Sequence, residues 1–217
     1  IAILFPITMI AYLAKKVGYV NTSLAIVGFY VSYLIIVSVV GYQGYFETIT
    51  LPPKIIQLTT IPLLIFLVGI ISFTKPYQEI LRKVPLYSLV KLHIFRLMGS
   101  FFIILMLFGT LPVSIGLIAG IGDILAAISS IWVAKIITEK RTYAKTAALI
   151  WNTFGLLDIL ITSATALILT KYSMDTGNMG VEILAVFPFS FIPAFAHATI
   201  NFLHISVYRK IFNKKYH

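Results

Sequence analysis

The sequence predicts an all-α polytopic membrane protein with seven transmembrane helices, and three observations carry that prediction. The 217 residues are 59% hydrophobic and only 11% charged, with a mean hydropathy of +0.99, whereas a soluble domain carries about 25% charge. The apolar residues fall in runs of around 20, the length a helix needs to cross about 30 Å of hydrocarbon. Basic residues collect in every second connection, as the positive-inside rule requires. Spanning segments must satisfy every backbone polar group internally, so only helices and closed barrels qualify. Barrel strands would read as alternating segments of about 10 residues, which this chain lacks.

Seven apolar segments follow in order, at about 1–14, 22–42, 55–74, 91–109, 112–134, 146–170 and 181–208. The first is short and opens on Ile1 without a Met, so the native N-terminus is expected further upstream. Pro52-Pro53, Pro76, Pro85 and Pro112 punctuate segment ends. Pro188 and Pro193 fall inside the seventh, where they are expected to kink it and free backbone carbonyls. The chain reads as one transmembrane domain over 1–217: a three-helix apolar part at 1–74, a polar-apolar mixed stretch at 77–90, and a four-helix part at 91–208. The stretch 77–90 sets Arg82 and Lys83 against Ile80, Leu81, Val84 and Leu86, which predicts an amphipathic helix on the cytoplasmic surface.

Charge orients the segments. Lys15 and Lys16 follow segment one; Lys75, Arg82, Lys83 and Lys91 follow segment three. Lys135, Lys140, Arg141 and Lys145 follow segment five; Arg209, Lys210, Lys214 and Lys215 follow segment seven. The opposite connections hold Lys54 and Lys171 beside Glu47, Asp175 and Glu182. This predicts an outside N-terminus and a cytoplasmic C-terminus, in a bacterial inner (cell) membrane. The net charge of +10 is thereby explained by loop bias, and no nucleic-acid motif or partner is implied. The absence of cysteine excludes disulfides and thiolate metal sites. Trp132, Trp151 and the turn Tyr42–Tyr45 are expected as interfacial anchors.

Two matching hexapeptides, Gly120-Ile-Gly-Asp123-Ile-Leu and Gly155-Leu-Leu-Asp158-Ile-Leu, place a carboxylate deep inside segments five and six. Intramembrane charge is expensive, which makes each a functional-site candidate. Gly116, Gly120, Asp123, Ala127 and Ser130 share one helical face, and Trp151, Gly155, Asp158, Thr162 and Thr165 repeat its spacing. Asp123 precedes Lys135 by 12 residues and Asp158 follows Lys145 by 13, a common depth of roughly 18–20 Å. Antiparallel elements of this kind have the form of an inverted repeat around a midplane site.

Further polar residues fall on the last four segments. His93, Arg96 and Ser100 share a face of segment four; Asn152 lies in the cytoplasmic half of segment six; His197, Asn201 and His204 share a face of segment seven. Together they predict a polar cavity built by segments four to seven, open or nearly open to the cytoplasm. The leading functional expectation is binding or transport of a proton, ion or small ligand at Arg96, Asp123, Asn152, Asp158 and His204. In it the two carboxylates bind, Arg96 is the counter-charge, and His197 or His204 relays protons. At this size a homo-oligomer is plausible for a transporter.

Other classes compete. A b-type haem would use His93 and His204 as axial ligands, with His197 spare and only the terminal His217 as a fourth histidine. A zinc hydrolase would use His93, Asp123, His197 and His204. A non-catalytic membrane subunit would use the polar groups only to lock its helices, and would dock a partner through the stretch 77–90. A microbial rhodopsin is disfavoured because segment seven has no lysine for a Schiff base.

Three resemblances bear on these classes. The set His93, Asp123, His197 and His204 is similar to the ligands of the seven-helix ceramidase and adiponectin-receptor superfamily, which would imply zinc. That family spaces its last-helix histidines four apart, whereas these are seven apart. Gly120-Ile-Gly-Asp123 resembles the GxGD motif of presenilin-type aspartyl proteases, but their partner aspartate precedes this helix while Asp158 follows it. The run Phe95-Arg96-x-x-Gly99, Leu111-Pro112, Gly120-x-Gly122-Asp123, Asn152-x-x-Gly155-x-x-Asp158, Ile192-Pro193 and Leu203-His204 resembles a group of uncharacterised bacterial multi-pass proteins over roughly residues 51–206. That resemblance implies no activity. It marks Arg96, Asp123, Asn152, Asp158 and His204 as the matched polar set and leaves His93 and His197 outside it.

Overall fold

The helices form two groups of ends, and the boundaries of each helix follow from its capping residues and prolines. The computed structural model describes residues 3–213, so Lys214, Lys215 and His217 lie outside the described residues. Helix α1 (Leu4–Lys16) ends at a turn where Gly18 takes φ +96°, a conformation that favours glycine. Helix α2 (Val20–Tyr42) returns to the opposite end. Helix α3 (Ile56–Phe73) contains Pro62, which lacks an N–H, and π-type turns over Ile56–Thr60 and Phe66–Ile70 flank it.

Helix α4 (Lys75–Lys83) starts under a Thr74 cap, whose hydroxyl accepts from the Tyr77 amide at 3.4 Å. It stops at Val84-Pro85, because a residue before proline is pushed out of the helical region. Helix α5 (Leu86–Leu107) then begins, and its middle, His93–Gly99, is wound as a 3₁₀ helix. The stretch 77–90 is therefore not one amphipathic helix: Pro85 divides it between α4 and the first turn of α5. Helix α6 (Val113–Thr138) follows Pro112, and helix α7 (Ala144–Thr176) ends at Gly177 in the left-handed conformation, φ +71°.

The last apolar segment is broken rather than kinked. Residues 177–190 are irregular apart from a 3₁₀ turn at Glu182–Ala185, and Pro188 lies in this irregular stretch. A π turn, Ile192–His197, contains Pro193 and leads into helix α8 (Ala198–Phe212). Two carbonyls of that turn accept side-chain hydroxyls from other helices. Tyr33 donates to the Ala194 carbonyl at 2.9 Å and Thr60 to the Pro193 carbonyl at 2.7 Å.

Five helices, α2, α3, α5, α6 and α7, are long and apolar enough to cross a membrane. Among the described residues no strand occurs. Large apolar side chains such as Ile36, Ile65, Leu107, Ile150 and Ile168 are exposed around the bundle, as a bilayer-facing surface requires. Trp132 is among the exposed side chains, but Trp151 is buried and donates to the Ala126 carbonyl at 3.0 Å. It is a core residue, not an interfacial anchor.

One end of the bundle is basic. There Tyr19 hydrogen-bonds Glu79 across the α1–α2 turn and α4. Lys210 of α8 donates to the Leu81 and Arg82 carbonyls at 2.9 and 2.8 Å. These carbonyls close α4, whose C-terminus favours a cation. An apolar cluster including Leu81, Val84, Val90, Val133 and Val207 fills the bundle above them. At the other end Val37, Phe46, Ile55, Ala185 and Ala194 pack the α2–α3 loop against the irregular stretch before α8.

Replacing Lys210 by Met removes two charge-assisted bonds to buried carbonyls. We expect a loss of about 1–3 kcal/mol, read as a lower thermal unfolding midpoint of the protein in mild detergent.

Candidate functional site

The site is assembled around Arg96, which is 1% exposed in the middle of α5. A 3₁₀ helix has three residues per turn, so winding His93–Gly99 this way aligns His93, Arg96 and Gly99 on one side. All three are buried. The α-helical face expected for His93, Arg96 and Ser100 is thereby replaced, and Ser100 is only partly buried.

Arg96 reaches both hexapeptide carboxylates. Its Nε donates to Asp123 Oδ1 at 2.7 Å and its Nη2 to Asp158 Oδ2 at 2.5 Å. The remaining nitrogen, Nη1, donates to the Gly155 carbonyl at 3.2 Å and faces His204 Nε2 at 3.0 Å. A guanidinium has no acceptor, so His204 Nε2 accepts. The other ring nitrogen, Nδ1, donates to Asn152 Oδ1 at 2.8 Å, while Asn152 Nδ2 donates to the His204 backbone carbonyl at 3.1 Å. Both nitrogens of His204 are thus occupied, and the hydrogen bonds select the Nδ1–H form. The structure brings Arg96, Asp123, Asn152, Asp158 and His204 into one connected network.

Glycines make the network possible. A Cβ on Gly155 would lie 2.6 Å from His204 Cε1 and 2.9 Å from Arg96 Nη1, and one on Gly122 would overlap the Asp158 carboxylate. Gly122 and Gly155 therefore mark where charged side chains cross the helix interface, whereas Gly120, the counterpart of Gly155, packs against Ile103. Each hexapeptide sets its carboxylate onto the same guanidinium.

The remaining sequence candidates sit apart from these bonds. His93 is fully buried with neither ring nitrogen hydrogen-bonded. Its ring centroid is 4.2 Å from that of His204 and 5.0 Å from that of Trp151. Rings in such contact leave no gap for a porphyrin between them, so the pair does not fit a bis-histidine haem. His197 bonds Ser163 at 3.0 Å, and Asn201 donates to the His197 carbonyl. Among the described residues no group of three or more His, Asp or Glu side chains is placed to hold a metal ion. A zinc at His93, Asp123, His197 and His204 would have to displace either Arg96 from His204 Nε2 or Asn152 from His204 Nδ1. Arg96 between the carboxylates likewise departs from an aspartyl dyad, whose members share a proton directly.

A cavity of about 110 Å³ meets Asp123 and Asp158 at its inner end. It runs between α5, α6, α7 and the α8 approach to the loop residues Phe46–Thr50 and to Glu182. This reverses the expected access: the cavity reaches the end opposite the basic loops, and the α2–α3 loop helps to line it. On the basic side the Trp151, Val90 and Val207 cluster closes the path. Glu47 and Glu182 were not singled out by sequence reasoning, because a loop carboxylate gives no periodic signal. Only the tertiary placement of the two loops brings them to one cavity.

Residues 53–211 match a family described as Domain of unknown function (DUF8737). The chain belongs to this family. The match covers α3 to α8 and every residue of the Arg96 network, and omits α1 and α2. No curated protein matches the chain, and no solved structure does.

Two stability outcomes test this arrangement. Gly155→Ala is expected to lose about 1–3 kcal/mol through overpacking, read by thermal unfolding in detergent. Arg96→Leu leaves two carboxylates without their partner and should lose about 3–5 kcal/mol, whereas adding Asp123→Leu and Asp158→Leu to it should restore much of that loss.

Proposed function

We propose that this is a seven-span protein of a bacterial cell membrane, N-terminus outside and C-terminus cytoplasmic. It binds and transports a proton or small cation at Asp123 and Asp158. The single observation that carries this reading is the charge count at the inner end of the cavity: one buried guanidinium against two carboxylates. Two ionised carboxylates leave one negative charge uncompensated in a medium where isolated charge is costly. A proton or a cation entering by the cavity supplies the missing charge.

The geometry suits such an exchange. Arg96 is wholly buried behind the carboxylates, whose side chains keep 16% (Asp123) and 9% (Asp158) exposure. An arriving cation therefore competes with Arg96 for the carboxylates from the cavity side. His204 and Asn152 hold the guanidinium from behind and limit its movement. His93, buried and without a hydrogen bond next to His204, is the next titratable group towards the basic end. Completing a transport cycle requires a second arrangement in which the apolar cluster on that side opens. A homo-oligomer or a membrane partner subunit would be compatible with the apolar surface.

A purely structural role is the competing reading, because the Arg96 bonds also lock α5, α6, α7 and α8 together. Proton flux into liposomes reconstituted with the full chain separates the two. Asp158→Asn keeps an oxygen for Arg96 and should cut flux about a hundredfold or more, the scale of one lost general acid–base group. Asp175→Asn, which alters an exposed pair with Lys171, should leave it unchanged. Flux equal to wild type in Asp158→Asn, or no flux in the wild type, would sink the transport reading.

A further inference from the structure

The distribution of acidic residues narrows the cation. The chain has seven Asp and Glu against 17 Lys and Arg. Four of those seven, Glu47, Asp123, Asp158 and Glu182, line this one cavity, and no Lys or Arg lines it. Arg96 offsets charge only at the inner end. Among the described residues Glu47 and Glu182 form no ion pair. Among the described residues Glu182 accepts only from the Gly180 amide, at 2.8 Å. The nearest lysine in sequence, Lys54, holds its ammonium over the Tyr45 ring at 3.6 Å and is not a lining residue. Lys171 is paired with Asp175. The cavity is negative at both ends in an otherwise strongly basic chain.

Its walls decide between kinds of cation. Between the carboxylates the lining is mainly apolar, with Ile49, Phe102, Ile159 and Leu184 among it, and its neutral polar groups are Thr and Ser hydroxyls and His197. A bare calcium or magnesium ion needs six or more oxygen ligands, which such walls do not offer. A primary ammonium needs three acceptors. Asp123 and Asp158 present carboxylate oxygens, and Thr162, one turn beyond Asp158, lines the same cavity with a buried hydroxyl that has no hydrogen-bond partner. The volume of about 110 Å³ is several times the roughly 10–15 Å³ that one water needs, enough for a short organic body.

Resting on the cation reading of this site, we propose that the cavity binds a small primary alkylammonium ion. Its ammonium sits on Asp123, Asp158 and Thr162, its alkyl body lies against the apolar walls, and Glu47 and Glu182 attract it at the mouth. Recognition is by charge at one end and apolar contact at the other, so neither a hydrated metal ion nor a neutral alcohol is equivalent.

Isothermal titration of the full chain in mild detergent with propylammonium chloride tests this, with sodium chloride, 1-propanol and sodium propionate as comparators. The expected result is saturable binding of propylammonium alone. Glu182→Gln, which retains an acceptor for the Gly180 amide, and Thr162→Val should each weaken it by about fivefold, the scale of one partly exposed polar contact. Binding of 1-propanol as tight as that of propylammonium, displacement of propylammonium by equimolar sodium, or affinity unchanged in both variants would overturn the assignment. Absence of propylammonium binding alongside Asp158-dependent proton flux overturns the ligand class alone. Absence of both overturns the cation reading as well.

Discussion

A fully buried guanidinium held between two carboxylates is the constraint from which the rest of this structure follows. Arg96 has no access to water, so its N–H groups must find partners within the protein or leave a charge unsatisfied. Every element of the larger half of the molecule contributes. Helix α5 tightens to a 3₁₀ winding where Arg96 sits, α6 brings Asp123, α7 brings Asp158 and the Gly155 carbonyl, and α8 brings His204. Asn152 completes the network by fixing the His204 ring from the far side. Removing one member leaves the others buried and mismatched, and that coupling makes the group a unit.

The bundle is asymmetric along its axis in a way that suits a site with a single entrance. Apolar packing around Trp151, Val90 and Val207 seals the basic end, while the cavity reaches Asp123 and Asp158 from the opposite end. The smaller half of the molecule participates more than its apolar composition suggests. Tyr30 meets Thr199, and Tyr33 and Thr60 satisfy carbonyls of the π turn before α8. The Pro193 and Ala194 carbonyls of that turn thus join the two halves.

The polar residues that matter were legible as a set, because a charge inside an apolar run stands out against its surroundings. Arg96, Asp123 and Asp158 are conspicuous for that reason, and His204 and Asn152 lie at matching depth. Their connectivity was not legible. A spacing of residues says which face they share only if the helix has the expected period, and the 3₁₀ winding at His93–Gly99 shifts that period. Trp151 illustrates the same limit: its composition suggests an interface, but its depth between α6 and α8 makes it a core donor to Ala126. The stretch 77–90 misled because an amphipathic pattern continues across Pro85, while the backbone does not.

What the sequence alone determined is the helical, membrane-compatible architecture and the identity of the buried charges. Both rest on local quantities, the length and hydropathy of each run and the cost of an ion within it. What only the tertiary structure decided is that one arginine serves both aspartates, that His93 and His204 pack ring against ring with no gap for a haem, and that the cavity opens away from the basic loops. These depend on how separate helices and loops meet: α2–α3 with the approach to α8, and α5 with α6, α7 and α8. Contacts between residues tens of positions apart leave no trace in local periodicity, so the direction of access could not be read from any single segment.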